Sequence, residues 1–241
     1  MKRFRPDADG GAYVALGDSI SIDDYAGGDG RGGARLLARN RAQDFPQWQG
    51  RDLGGLPWHV LATDGATTAT LDAQLHRLER LPVRASVVTV TIGGNDVLGD
   101  YGDTVAAMRV VTLVGERVGR ALDRLSSLTA SSARIVVGTV YDPSDGTGDT
   151  AAAGLPAWPE VVEVLAALNS TLREVAGRHG AAVADIHGHF LGHGLTVGNP
   201  AQGDPRPRNQ ELWYCNIIEP NAWGAGGVRA AFWEALHAGA C

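Results

Sequence analysis

Cysteine is scarce in this sequence: Cys215 and Cys241 are the only two, and no C-x-x-C pair occurs. That excludes a disulfide framework, a cysteine-ligated zinc site and dithiol redox chemistry. Clustered positive charge is also missing. The net charge is −6 and no basic run appears, whereas a nucleic-acid backbone or an anionic lipid surface needs a basic patch. Neither nucleic acid nor membrane is an expected partner. No apolar run approaches the ~20 residues that span a bilayer. The basic start, Met1-Lys2-Arg3-Phe4, leads into the polar Ala8-Asp9-Gly10 instead of a secretory apolar stretch, so the cytoplasm is the expected compartment. Internal repeats and linkers are absent as well, and 241 residues suit one domain.

What is present is an alternation. Short apolar runs at 12–16, 58–62, 86–92, 134–140 and 181–184 read as five buried strands. Between them lie helical patterns: Leu71, Leu75 and Leu78 share one face, and 105–128 and 161–176 repeat the same spacing. Strand and helix in turn imply right-handed crossovers and a parallel sheet covered on both faces, an α/β fold with function beyond the strands' carboxyl ends. Two long irregular stretches, 142–159 and 187–214, are candidate pocket walls.

The chemistry-bearing residues fall at those strand ends. Tyr13-Val14-Ala15-Leu16-Gly17-Asp18-Ser19 runs from a strand into a turn that exposes a hydroxyl. A serine there attacks an acyl carbon only if a base takes its proton and donors hold the oxyanion. Gly65, in Thr63-Asp64-Gly65-Ala66, lets a backbone N–H approach a ligand with no side chain in the way. Asn95, in Ile92-Gly93-Gly94-Asn95-Asp96, offers a carboxamide donor.

Serine near the N-terminus, glycine after the second strand and Gly-x-Asn-Asp after the third resemble, over most of the chain, the GDSL or SGNH hydrolases. These are flavodoxin-like three-layer α/β/α sandwiches with a five-stranded parallel sheet, and they include esterases, lipases and thioesterases. The resemblance implies Ser19 as nucleophile, with the Ser19 and Gly65 amides and the Asn95 side chain as oxyanion hole. No cofactor is expected, and no metal: the spacing of His187, His189 and His193 with Asp185 suggests one, but two histidines two apart suit a strand better than a loop.

The family's last block places Asp and His three residues apart, followed by Pro. Here Asn216-Ile217-Ile218-Glu219-Pro220-Asn221 puts Asn216 at the aspartate position and Glu219 at the histidine position. A free glutamate has a pKa near ~4.3, against ~6.5 for imidazole, and is the poorer base at neutral pH. Burial, for instance against Trp213 or Trp223, would raise it, and Asn216 would support it as a hydrogen-bond donor without adding charge. The displaced alternative is His193, in Asp185-Ile186-His187-Gly188-His189-Phe190-Leu191-Gly192-His193. Gly28-Asp29-Gly30-Arg31-Gly32-Gly33 matches G-x-G-x-x-G but follows no strand, so flexible glycines ahead of a helix near Ala34 are the better account. Trp48, Trp58, Trp158 and Trp213 are candidates for the floor of an acyl or sugar pocket. The expected activity is hydrolysis of a small ester or acylated metabolite. The alternatives are acyl transfer to an alcohol and a binding protein that keeps the scaffold without turnover.

Overall fold

A computed structural model describes residues 11–200, 203 and 208–238; the basic start and Cys241 lie outside them. The five-stranded parallel sheet has the order β2-β1-β3-β4-β5, built from β1 (Ala12–Gly17), β2 (Trp58–Val60), β3 (Ala85–Thr91), β4 (Thr129–Gly138) and β5 (Ala182–Ala184). Between them run α1 (Gly33–Ala38), α2 (Leu71–Glu79), α3 (Gly94–Leu98), α4 (Thr104–Leu128) and α5 (Val161–Arg178). After β5 come α6 (Ile186–Phe190), an antiparallel hairpin of β6 (Tyr214–Cys215) and β7 (Glu219–Pro220), and α7 (Ala222–His237). The three-layer α/β/α reading holds.

Alternation along the strands divides the core in two. Val14, Leu16, Val88, Val90 and Val137 face α2, α4 and α5. Tyr13, Ala15, Val87 and Val136 face α1 and α7, packing with Leu37, Val228 and Phe232. Helix α4 shows why the spacing read as helix: Ala107, Val111, Val114, Val118, Leu122 and Leu125 form its buried stripe, and Asp103 caps it by accepting the Ala106 N–H at 2.9 Å. Among the described residues no helix is long and apolar enough to cross a membrane.

Two buried amides fix the strand ends where the site forms. Gln74, on the apolar face of α2, accepts the Gly17 N–H at 2.7 Å and donates to the Gly17 carbonyl at 2.8 Å. Asn169, on the apolar face of α5, does the same for Val140, at 2.7 Å and 2.8 Å. This explains why the fourth strand stops at Gly138 instead of running to residue 140: Val140 bonds to a side chain in place of a neighbouring strand. Gln74→Ala would leave the Gly17 N–H buried without a partner, while the Gly17 carbonyl keeps the Thr63 N–H. It is expected to cost about 1–3 kcal/mol, the usual penalty for one stranded buried group. Urea denaturation is the check: a loss under about 1 kcal/mol would mean that Gln74 does not hold this turn.

Candidate active site

The end of β1 turns because Gly17 adopts φ +119°, a conformation closed to most side chains, and an added Cβ would lie 1.8 Å from the Thr91 carbonyl oxygen. Strands β1 and β3 thus meet closely. The next residue, Asp18, donates its N–H to that carbonyl at 2.9 Å, and its carboxylate accepts the Ile20 N–H at 3.2 Å. This caps a single 3₁₀ turn, Ser19–Ser21. Ser19 opens that turn and lines a cleft.

Gly65 lies on the loop after β2, tied to the same turn by the Thr63 N–H, which donates to the Gly17 carbonyl at 3.0 Å. Its φ is +64° and an added Cβ would meet nothing within 4 Å. The residue therefore has open space above it. Asn95, in the first turn of α3, donates through Nδ2 to the Ala66 carbonyl at 3.0 Å. A carboxamide nitrogen has two hydrogens, so a second donor remains available to a ligand. Ser19 and Asn95 line the same cleft. Asp96, beside it, accepts the Thr68 N–H at 2.9 Å and hydroxyl at 2.6 Å, which binds α3 to the segment after Gly65.

Glu219 arrives on the hairpin, where it pairs with Cys215. Asn216 sits exposed at the turn with φ +45°, a left-handed conformation that Asn tolerates better than most residues. The following Ile217 has φ +74°, which for a β-branched side chain stores strain of order 1–3 kcal/mol. The hairpin is braced by the Tyr141 hydroxyl, which donates to the Ile218 carbonyl at 2.6 Å. Its product is a carboxylate near a serine. The Ser19 hydroxyl, and not Asn216, is the side chain that favours the ionised form of Glu219.

Burial is the main cause of the unusual Glu219 pKa, which rises to about 7; the Asp64 charge raises it further and the Ser19 hydrogen bond opposes both. Its Oε2 is buried without a partner. Asp18 is likewise lifted to about 7, chiefly by burial and also by the Glu219 charge, against hydrogen bonds from Thr91 and Ile20. A serine, a carboxylate titrating near neutrality, a free amide donor and a cleft lie together.

Residues 15–224 match the GDSL-like Lipase/Acylhydrolase family. The chain belongs to that family. Solved structures with the same fold include a lipase from a goat rumen metagenome, at 16% identity and TM-score 0.63 over 92% of this chain and 98% of the other. Phospholipase A1 from Streptomyces albidoflavus NA297 is 24% identical, with TM-score 0.59 over 95% and 99%. A variant of an acetyl xylan esterase from Geobacillus stearothermophilus is 16% identical, with TM-score 0.59 over 94% and 96%. No curated protein matches the chain.

The cleft of this GDSL-family chain measures about 770 Å³ out to its open mouth. Its walls are mostly apolar: Ile20, Val97, Leu98, Tyr101, Val140, Leu155, Leu165, Ile217 and Ile218 all contribute. The loop 142–159 supplies part of them, as expected, and is organised by Asp142, which accepts the Ser144 N–H at 2.8 Å and the Gly146 N–H at 2.9 Å. The stretch 187–214 supplies none of this lining among the described residues; the hairpin turn after it, at Ile217 and Ile218, does.

Of the four tryptophans considered, Trp158 lines the cleft, with its indole N–H on the Thr104 hydroxyl at 2.9 Å and its ring edge-on to Tyr101. The others pack elsewhere. Trp48 lies under the Arg229 guanidinium, Trp58 under Arg35, and Trp213 against His193 and Phe190. Trp223, the second ring considered for burying Glu219, packs edge-on to Phe45. The three histidines of the 187–193 segment also separate: His187 bonds to the Val140 carbonyl, His189 to Glu234, and His193 stacks on Trp213 with Nδ1 2.6 Å from the Glu211 carbonyl oxygen. Gly28 and Gly30 lie in turns at positive φ ahead of α1, not after a strand. Gln74 and Asn169 escaped the sequence reading, although a lone amide on an apolar helix face was the available signal.

Proposed function

We propose that this chain is a serine acyl hydrolase in which Glu219 replaces the usual imidazole and the substrate carries an apolar acyl group. The observation that carries this reading is the Ser19 hydroxyl beside a carboxylate on the hairpin that burial lifts to about 7. An ordinary glutamate is too weak a base for a serine proton; a desolvated one approaches imidazole in proton affinity. Ser19 attacks the ester carbon as its proton passes to Glu219, and the Ser19 and Gly65 amides with Asn95 hold the oxyanion. Glu219 then returns the proton to the leaving alcohol. Water, deprotonated by the same carboxylate, hydrolyses the acyl-enzyme. Asp18 shapes the turn and, as a neighbouring negative charge, helps to keep Glu219 basic. His193, held on Trp213 and the Glu211 carbonyl, takes no part in this scheme.

The apolar cleft beside Ser19 suits an acyl chain of several carbons better than acetate. With p-nitrophenyl acetate, butyrate and octanoate, kcat/KM is expected to rise with chain length, and Ser19→Ala is expected to abolish turnover. The lack of a histidine at position 219 favours a second reading, an acyl-ligand binder without turnover. Tight binding of an acylated ligand with no Ser19-dependent hydrolysis would establish that reading and end the first.

A further inference from the structure

We infer that Tyr25 is a positioning residue, joining the loop that presents the Gly65 amide to the hairpin that presents Glu219; this rests on the hydrolase reading above. On one side its hydroxyl donates to Asp64 Oδ2 at 3.1 Å. On the other its carbonyl accepts the Cys215 thiol at 3.5 Å, and Cys215 is the residue paired with Glu219 across the hairpin. One residue thus ties together two loops that are distant in sequence.

The consequence for Gly65 follows from what surrounds it. Nothing packs within 4 Å of where its Cβ would stand, so its own contacts do not fix the direction of its N–H. Its neighbours do. Asp64 before it is held by Tyr25, and Ala66 after it accepts the Asn95 carboxamide. The glycine is bracketed by two tethers, one of which comes from a fellow member of the oxyanion hole.

Tyr25 is itself held. Its loop is folded over Asp23, whose carboxylate accepts the Gly30 and Gly32 N–H groups at 2.8 Å and 2.7 Å, and the adjacent Ala26 is buried. Burial, the Asp64 bond and the charges of Glu219 and Asp64 push the Tyr25 pKa up to about 12, so the hydroxyl stays a donor through the working range of an esterase. The charged and titratable groups that act on Glu219 or respond to it are Asp64, Asp18, Tyr25 and Tyr141.

The test measures kcat, KM and melting temperature for p-nitrophenyl butyrate between pH 5 and 9 with wild type, Tyr25→Phe, Asp64→Asn and the double variant. Tyr25→Phe is expected to lower kcat about tenfold with KM within about twofold and little change in melting temperature, because a misdirected donor weakens transition-state binding alone. Asp64→Asn keeps an acceptor for the hydroxyl, so most of kcat survives. It removes a charge that raises Glu219, so the acid limb moves to lower pH. The double variant is expected to be no slower than Tyr25→Phe, since without the hydroxyl the acceptor at residue 64 has nothing to hold. Wild-type kcat in Tyr25→Phe, or a loss that merely tracks a fall in melting temperature, overturns the inference. Absence of Ser19-dependent turnover in wild type overturns the hydrolase reading and this inference with it.

Discussion

Glu219→Gln is expected to lower kcat for p-nitrophenyl butyrate by about 10²- to 10⁴-fold at pH 8, the range typical of a positioned general base, while making the protein more stable. The two effects have one origin. Burial lifts the Glu219 pKa to about 7, which gives the carboxylate its proton affinity and also means that the fold resists its ionisation. The carboxyl is protonated more readily in the folded than in the unfolded chain. Its contribution to stability is therefore fully present below the unfolded pKa, near ~4.3, and is lost as pH rises through about 7. Glutamine has the same shape and no charge to lose. At pH 8 the variant should melt a few degrees higher than wild type, and near pH 4 the difference should vanish. Activity runs the opposite way: the base must be ionised, so kcat/KM rises with pH through about 7. Asp18 titrates in the same window and repels Glu219, so the limb reports the pair, not one residue. A variant that keeps wild-type kcat, or that melts lower at pH 8, would exclude Glu219 as a buried base.

Asn95→Ala is expected to lower kcat by about 10²- to 10³-fold with a small change in KM, the usual cost of removing one oxyanion-hole donor. The carboxamide does two things: it donates to the Ala66 carbonyl, and its remaining hydrogen is free to face a ligand in the cleft. Asn95→Asp separates them. At pH 8 it presents acceptors where the oxyanion needs a donor, so it should lose at least as much as alanine although its volume is unchanged. Equal kcat in all three proteins would remove Asn95 from the reaction. A large rise in KM with kcat unchanged would assign it to ground-state binding instead.

The strand ends were the legible part of this protein. Apolar runs interrupted by Gly17 and Gly93 marked where β1 and β3 finish, because a buried parallel strand needs a continuous apolar run and its exit needs a residue free of a side chain, whereas the edge strand β2 stops at Val60, ahead of Gly65. Ser19 and Asn95 could be found because they follow those exits immediately. Element limits were less legible: β4 begins at Thr129, through polar residues whose strand character comes from pairing with β3, beginning with Ala85 opposite Thr129. The hairpin β6–β7 was not legible, since two-residue strands carry no periodicity.

By itself the sequence determined the α/β sandwich with its parallel sheet and the identity of the groups available at the carboxyl ends of the strands; these depend on local pattern and chain connectivity. Which group meets which was decided only by tertiary structure. The substitution of a carboxylate for imidazole is visible in the letters. Its pKa near 7 is not, because desolvation and the Asp64 charge exist only once the hairpin closes over Ser19. The same closure turned His193 toward Trp213 and left Tyr25 between two loops, since contacts between residues far apart in the chain follow from packing and from no pattern along it.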